Sequence, residues 1–520
     1  MTKSYQTTEK EQIFRDAYHE SIGFLKTLIA GEEYNSIGFL ASSVNRENYH
    51  RLFTRDAFWV GMAALLSGDR ELIDAYDAGL ATLRNNQRED GAIASNVSYT
   101  GEVSYGIINQ RVDPTTLYIL GCIERYKLCK DPEFLLEYLP SIKRAFKHLV
   151  DTWENKKIGL LYIPRAGNWA DEYLQQGYVL YDEALWYLVL REYAEIITNV
   201  DRGEAEYYRE KAEHVKGVIR EKFWVKNLKR RNDGIYRRVF KKFNFKEMGY
   251  FLHFYHSKGK TQSTLRKAHG IFDAFGNVLT LLTGVATQQQ AKETISFIDE
   301  ISANKYPLIP AHYPFFSEEI FKSQKLHQYR FKEYVGHYHN GGLWPWYTGL
   351  YVAFLQSYGD HEQAMRFLGG ILKANKARRN NMSYYEYHVS KRASSELEVR
   401  RAEGVDLFLS TRMSKLIEAK RSTVKVQYEK KRINVYNDMN VRSLDIRNGE
   451  KIRISAIGPD AEEVLLGICK IEDDRGKCFE CQGTNVRGME PGGAPYLGVS
   501  AASFIIGYKA VTENKILFQQ

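Results

Sequence analysis

The chain has 520 residues, 44% hydrophobic and 26% charged, with a formal net charge of +9, the balance of a water-soluble globular protein. No run of about 18 apolar residues occurs, so no membrane span is expected. The start, MTKSYQTTEKEQIFRDAYHE, has no apolar core of a secretory leader, and five cysteines argue against a disulfide framework and for a reducing compartment, the cytoplasm.

In chain order, helical periodicity predicts amphipathic segments at about 10–30, 55–68, 70–86, 113–127, 132–153, 179–197, 203–222, 273–287, 288–301, 342–358 and 360–377. Short turns such as SGDR (67–70) and CKDPE (129–133) separate many of them. Between 421 and 456 the pattern changes to alternation with β-branched residues and the turn signals YND and RNGE, which predicts strands. A final apolar run at 496–511 makes a twelfth helix. Loose similarity among RVDPTTLYILGC, LYDEALWYLVL, FDAFGNVLTLLTG and HNGGLWPWYTGLYVAF suggests repeated helix pairs around an axis. The fold expected is all-α, an (α/α)6 toroid of six helix pairs built from 1–390 and 488–520. A small strand-containing α+β insertion, 391–487, precedes the last helix. In such a ring one end gathers the loops that enter the inner helices, which makes it the place for a pocket.

The excess positive charge falls in 226–246, 373–379 and 418–432, which reads as solvated basic faces, so no nucleic-acid partner is expected. The 36 tyrosines, 26 phenylalanines and 7 tryptophans suit either sugar stacking or a large helical core, and composition alone does not separate the two.

Within GNWADEYLQQGYVLYDEALWY (167–187), Trp169 stands two residues before Asp171 on a segment entering a helix. An indole wall that partly desolvates a carboxyl raises its pKa, as a general acid near neutral pH requires; helix capping is the plain alternative. A second carboxyl is needed to cleave a glycosidic bond. Glu386 in NNMSYYEYH (380–388) and Glu480 in GKCFECQG (476–483) are the candidates. Cys478 and Cys481, with Cys469 nearby, have the spacing of a metal or redox pair but no fourth ligand, so no metal is expected. FTRDAFWVG (53–61) puts Arg55 and Asp56 at the start of an apolar helix that includes Trp59, where ions must be paired or used. HYHNGGLWPWYTG (337–349) combines His337, His339, Asn340 and Trp344 as pocket-floor material.

Together these segments resemble the clan of (α/α)6-barrel glycoside hydrolases that includes neutral/alkaline invertases, the glucosidase part of glycogen-debranching enzymes and glycosylglycerate hydrolases. RDAFWVGMAALLSGD resembles the Arg-Asp helix of that clan. GAIASNV and YGIINQRVDPTTLYI, with Arg111 and Asp113, resemble the loop and inner helix that follow. NWADEY is similar to the Trp-x-Asp segment that holds the general acid, which places that role on Asp171. FDAFGNVLTLLTGVAT, NGGLWPW and GAPYLGVSAASFIIGYKAV resemble later inner helices and the closing one. The clan's general base lies on a loop after the Asn-Gly-Gly helix and its outer partner. Glu386 stands 46 residues beyond Asn340, about the length of two helices and turns. Glu480, shortly before the closing helix, also occupies a base position. One departure is VLYDEALWY, which carries Tyr181 and Asp182 where relatives often have a glutamate.

The resemblance implies an inverting glycosidase acting on an α-linked glucoside or related small carbohydrate. Asp171 would be the acid and Glu386 or Glu480 the base. Arg55, Asp56, Trp59, Arg111, Asp113, Trp169, Asn340 and Trp344 would hold the sugar. No cofactor is expected, since two carboxyls and positioning suffice. The same barrel also hosts sugar epimerases and phosphorylases, and a non-catalytic carbohydrate-binding barrel is the non-enzymatic alternative.

Overall fold

The structure is a computed structural model. It describes residues 9–31, 37–44, 49–170, 176–225, 249–256, 260, 265, 268–302, 307–313, 338–376, 386–388, 391–418, 422–435, 441–458, 461–487, 490–492 and 496–518. The chain divides into two compact units: 1–331 with 344–386 and 493–520, and 332–343 with 387–492.

The first unit begins with α1 (Glu9–Lys26), α2 (Thr54–Ser67), α3 (Arg70–Asn85), α4 (Asp113–Cys129), α5 (Pro132–His148), α6 (Leu180–Ile197) and α7 (Arg202–Val218). It continues with α8 (Ala274–Leu282), α9 (Gln288–Ile301), α10 (Pro345–Tyr358) and α11 (His361–Asn375). After two helices of the second unit, α12 (Leu407–Glu418) and α13 (Ala461–Cys469), the chain returns as α14 (Gly498–Glu513). Among the described residues six of these helices close a ring. α2 packs on α4, α4 on α6, α6 on α8, α8 on α10, α10 on α14, and α14 back on α2. Outside it, α3 lies on α2, α5 on α4, α7 on α6, α11 on α10 and α1 on α14. The expected (α/α)6 toroid is present.

The two layers differ in their sequences. α5 buries Phe134, Tyr138, Ser141, Ile142, Ala145 and Phe146, one stripe of an amphipathic helix whose other face meets water. α2 buries every residue from Ala57 to Leu66, as a helix surrounded by others must. Gly349 lets α10 approach α14, since a Cβ there would stand 2.2 Å from the Ser503 carbonyl oxygen.

The helix starts differ as well. Outer helices are capped: Asp69, Asp131, Asp201 and Asp360 each accept from a backbone N–H of the first turn, and Thr287 with Gln290 forms a capping box. Inner helices α2, α4, α6, α10 and α14 begin after Phe53, Val112, Val179, Trp344 and Leu497, with no side-chain cap. Their first N–H groups and positive dipole ends are therefore left for other partners. α8 is the exception, capped by Asp273.

Short strands lead into several inner helices. β1 (Arg51–Phe53) pairs with β2 (Asn96–Ser98), and β2 with β3 (Val103–Ser104). β4 (Gly177–Val179), β5 (Leu252–His256), β6 (Ala268–Asp273) and β7 (His312–Tyr313) form an antiparallel sheet in that order.

The second unit follows β8 (Glu386–His388) with β9 (Lys391–Val399), β10 (Thr423–Tyr428), β11 (Lys431–Asn434) and β12 (Lys451–Gly458), then the small ladder β13 (Glu472–Asp473) and β14 (Gly476–Lys477), then β15 (Phe479–Arg487). The antiparallel sheet has the order β11-β10-β12-β9-β15, and α13 packs on β9, β12 and β15. Leu397, Val426, Ile454, Met413 and Leu465 contribute to its core. The strands read between 421 and 456 are β10, β11 and β12. A disulfide joins Cys469 to Cys481, whereas Cys478 is a buried free thiol. The pair suggested by spacing, Cys478 with Cys481, is thus replaced by one that the packing of α13 beside β15 brings together. The cysteine count gave no sign of it.

Candidate active site

The N-terminal ends of the inner helices converge on a polar and aromatic cluster. Asp113, the first residue of α4, is fully buried. Its carboxylate accepts from Arg55 Nε at 2.6 Å and Nη2 at 3.0 Å, a two-pronged pair, and from the Tyr181 hydroxyl at 3.2 Å. Arg55 also donates to the Asn168 carbonyl at 3.4 Å. α2, α4, α6 and the loop that carries Trp169 are tied together in this way. A cation in the first turn of α2 opposes the helix dipole, and Asp113, itself favoured at its helix start, compensates it. Of the two ions expected to be paired or used at the start of α2, Arg55 is paired with Asp113, 58 residues on. Asp56 is half-buried, and its carboxyl is pushed up to about 6 by burial, with Arg55 pulling the other way. Arg111 is buried and donates to Ser95 Oγ at 2.9 Å.

Two further carboxyls follow Tyr181 in α6. Burial pushes Asp182 and Glu183 well above the ordinary carboxyl range, Asp182 further so through the Asp113 charge. Glu183 accepts from the Leu161 N–H at 3.1 Å. Asp182 has no hydrogen-bond partner among the described residues, which suits a neutral acid in an apolar setting.

Trp169 is at the centre of the aromatic cluster. It stacks on His312 at 5.3 Å and meets Trp344, Phe275 and Tyr181 edge-on at 5.6, 5.8 and 6.4 Å. Trp344 stacks in turn on Trp346 at 5.7 Å and on Tyr347 at 6.2 Å. Trp59, read as a sugar-binding residue, is buried against Phe58, Phe275 and Phe518 inside the ring. It is a core residue there, because α2 is covered on every side. The buried Asn168 side-chain amide and Trp346 Nε1 have no hydrogen-bond partner among the described residues. Buried polar groups normally find one in protein, water or ligand.

Asp171 and His337 lie outside the described residues. Glu386 opens β8 in the last residues of the first unit's middle segment. Glu480 lies on β15 of the second unit, is exposed and is ion-paired with Arg400, the residue after β9. The strand register that puts Glu480 opposite Glu398 gives it a surface partner within the second unit. Asn340 and His339 are buried in the segment that groups with the second unit, although the sequence reading assigned 332–343 to the barrel.

Three site residues escaped the sequence reading. Asp273 caps α8, receives the Trp169 indole N–H at 3.5 Å and has His253 beside it. Its carboxyl is held below the usual range despite burial, through His253 and the charge of His312. The residues lie at 253, 273 and 312, with no motif spacing. The signal available was Asp273 in FDAFG, an Asx directly before a helix.

Residues 56–306 match the family described as bacterial α-L-rhamnosidase 6 hairpin glycosidase domain. Residues 393–473 match the family described as PTS HPr component phosphorylation site; this segment contains no histidine. No curated protein matches in sequence. Similar solved structures include a bacterial glucoamylase complexed with acarbose, at 17% identity, covering 69% of this chain and 50% of that one with a TM-score of 0.47. A wild-type glycosidase aligns at 10% identity over 71% and 85% of the two chains, TM-score 0.48. A rhamnosidase from Klebsiella oxytoca with rhamnose bound aligns at 14% identity over 71% and 55%, TM-score 0.45. The chain thus spans half the length of the glucoamylase. The closed ring of six inner helices gives the chain an (α/α)6 toroid fold, and residues 56–306 within it are similar to a six-hairpin glycosidase domain.

Proposed function

We propose that the protein is an inverting glycosidase that cleaves an α-linked glucoside, or a related small glycoside, with Asp171 as general acid and Glu386 as general base. The observation that carries this reading is the convergence of uncapped inner-helix starts on the Arg55–Asp113–Tyr181 network and the Trp169 cluster, two residues before Asp171. Buried donors and acceptors beside aromatic faces suit sugar hydroxyls and the apolar face of a pyranose. Asp56, with its raised pKa, and Asn168 would hydrogen-bond ring hydroxyls. Trp169, Trp344 and Trp346 would wall the ring. Glu386 is preferred to Glu480, whose carboxylate serves a surface ion pair in the second unit.

In this mechanism Asp171 protonates the leaving oxygen while Glu386 takes a proton from a water attacking the opposite face. The two carboxyls then stand about 6.5–9.5 Å apart. The test is a panel of nitrophenyl α-D-glucoside, nitrophenyl α-L-rhamnoside, sucrose, trehalose and glucosylglycerate, with product anomers followed by proton NMR. Asp171→Asn is expected to lower kcat about 10²–10⁴-fold. Undiminished turnover in that variant, or products of retained configuration, overturns the assignment. Sugar affinity without turnover in the unaltered chain would make the barrel a binding protein.

A further inference from the structure

The sheet β4–β7 brings together a set of side chains that sugar cleavage does not require. His253 lies on β5, Asp273 ends β6, and His312 begins β7. All three are fully buried, and one ligating atom from each lies within 4.8 Å of the other two. The arrangement is set by strand register. Asp273 pairs directly with His312 across β6 and β7. His253 sits where the β5–β6 register shifts, between Leu252 and Phe254, and such irregularities re-aim a side chain.

The geometry within the set is informative. His253 Nδ1 and Asp273 Oδ2 are 3.3 Å apart, longer than a good N–H···O hydrogen bond of about 2.7–3.2 Å. Zinc bonds of about 2.0–2.2 Å at tetrahedral angles give a ligand–ligand edge of about 3.3–3.5 Å. The two imidazole rings are nearly perpendicular, 88°, with centroids 4.7 Å apart, so they meet edge to face instead of stacking. The surrounding contacts also resemble the outer shell of a metal centre. Asp273 Oδ1 accepts from the Phe275 N–H at 3.1 Å, and Oδ2, which the Trp169 indole N–H reaches at 3.5 Å, is the oxygen directed at His253. Trp169 stacks on His312 and fixes its plane. Fixed orientation of imidazole and carboxylate ligands is what outer contacts supply at metal sites.

We infer that His253, Asp273 and His312 bind one divalent transition-metal ion, with zinc the best match. Two imidazoles and one carboxylate suit zinc and its first-row neighbours, whereas calcium and magnesium take six or more oxygen ligands. Three protein ligands leave one tetrahedral position for a water or a substrate oxygen. The site adjoins Trp169 yet shares no residue with the proposed acid and base, so it stands or falls separately from the glycosidase reading.

The test uses the full chain, stripped with EDTA and dialysed against zinc, with metal content read by mass spectrometry. One zinc per chain is expected, and His253→Gln and His312→Gln should each fall to the blank, whereas Cys478→Ser should keep the full complement. Millimolar calcium or magnesium should displace none of it. Cobalt substitution of the unaltered chain should give the visible absorption of a tetrahedral site, a measurement that needs no variant to fold. Zinc content in the unaltered chain no higher than in the His253→Gln/His312→Gln double variant, or no tetrahedral cobalt spectrum, overturns the inference. Neither result bears on turnover, which is measured with Asp171→Asn.

Discussion

Removing Asp113 tests how the inner helix starts are held together. Its carboxylate is wholly buried and the Arg55 side chain is 13% exposed, joined by two short contacts. Asp113→Ala leaves a guanidinium in the first turn of α2, against the dipole and mostly out of water. Breaking one side of a buried pair costs about 3–5 kcal/mol, and the Tyr181 hydroxyl loses an acceptor worth about 1 kcal/mol. These overlap, so a loss near 4 kcal/mol is expected. Arg55→Met combined with Asp113→Leu removes both charges and keeps the volume, so it should recover most of that loss. All seven tryptophans lie in the first unit, so urea unfolding followed by tryptophan fluorescence reports on the ring without the second unit. A loss under about 1 kcal/mol for the single variant, or a double variant as unstable as the single, would refute the view that the pair is a buried, mutually compensating unit.

Other predictions follow from the same structure. Asp56 has a carboxyl raised from 3.8 to about 6, so the folded state binds more protons than the unfolded one between those values. Stability from this group is therefore full below about pH 4 and lost as pH rises through 6. Asp56→Asn should match the unaltered chain at pH 4 and exceed it by up to about 2–3 kcal/mol at pH 7, as urea midpoints at the two pH values will show. Asp182→Asn should likewise raise stability at pH 7, because burial keeps the native acid neutral while the unfolded one ionises; a loss by the same assay would mean that the charged form is required. Gly349→Ala places a methyl 2.2 Å from the Ser503 carbonyl oxygen and should cost at least about 1–3 kcal/mol, read as a lower melting temperature. Reducing Cys469–Cys481, which are 12 residues apart, should destabilise the second unit by about 3 kcal/mol. That loss should appear in circular dichroism while tryptophan fluorescence stays unchanged.

The sequence by itself determined the layers and their order. Helical periodicity, the Asp and Thr caps of the outer helices, and the unbroken apolar runs of α2 and α6 are local signals, because a helix bonds to itself within four residues. The expected boundaries of α4, α6 and α10 accordingly lie within a few residues of those observed. Trp169 stood out in the sequence as an aromatic just before a helix, and Asp113 through the clan resemblance; both lie in the buried cluster at the inner helix starts. Only the tertiary structure decided which side chains meet. Arg55 takes Asp113 in place of its neighbour Asp56, Trp59 joins the core, Cys481 pairs with Cys469, and His253, Asp273 and His312 gather from three strands. Those meetings depend on ring closure and strand register, in which a shift of one residue turns a side chain to the opposite face. No short window of sequence specifies them.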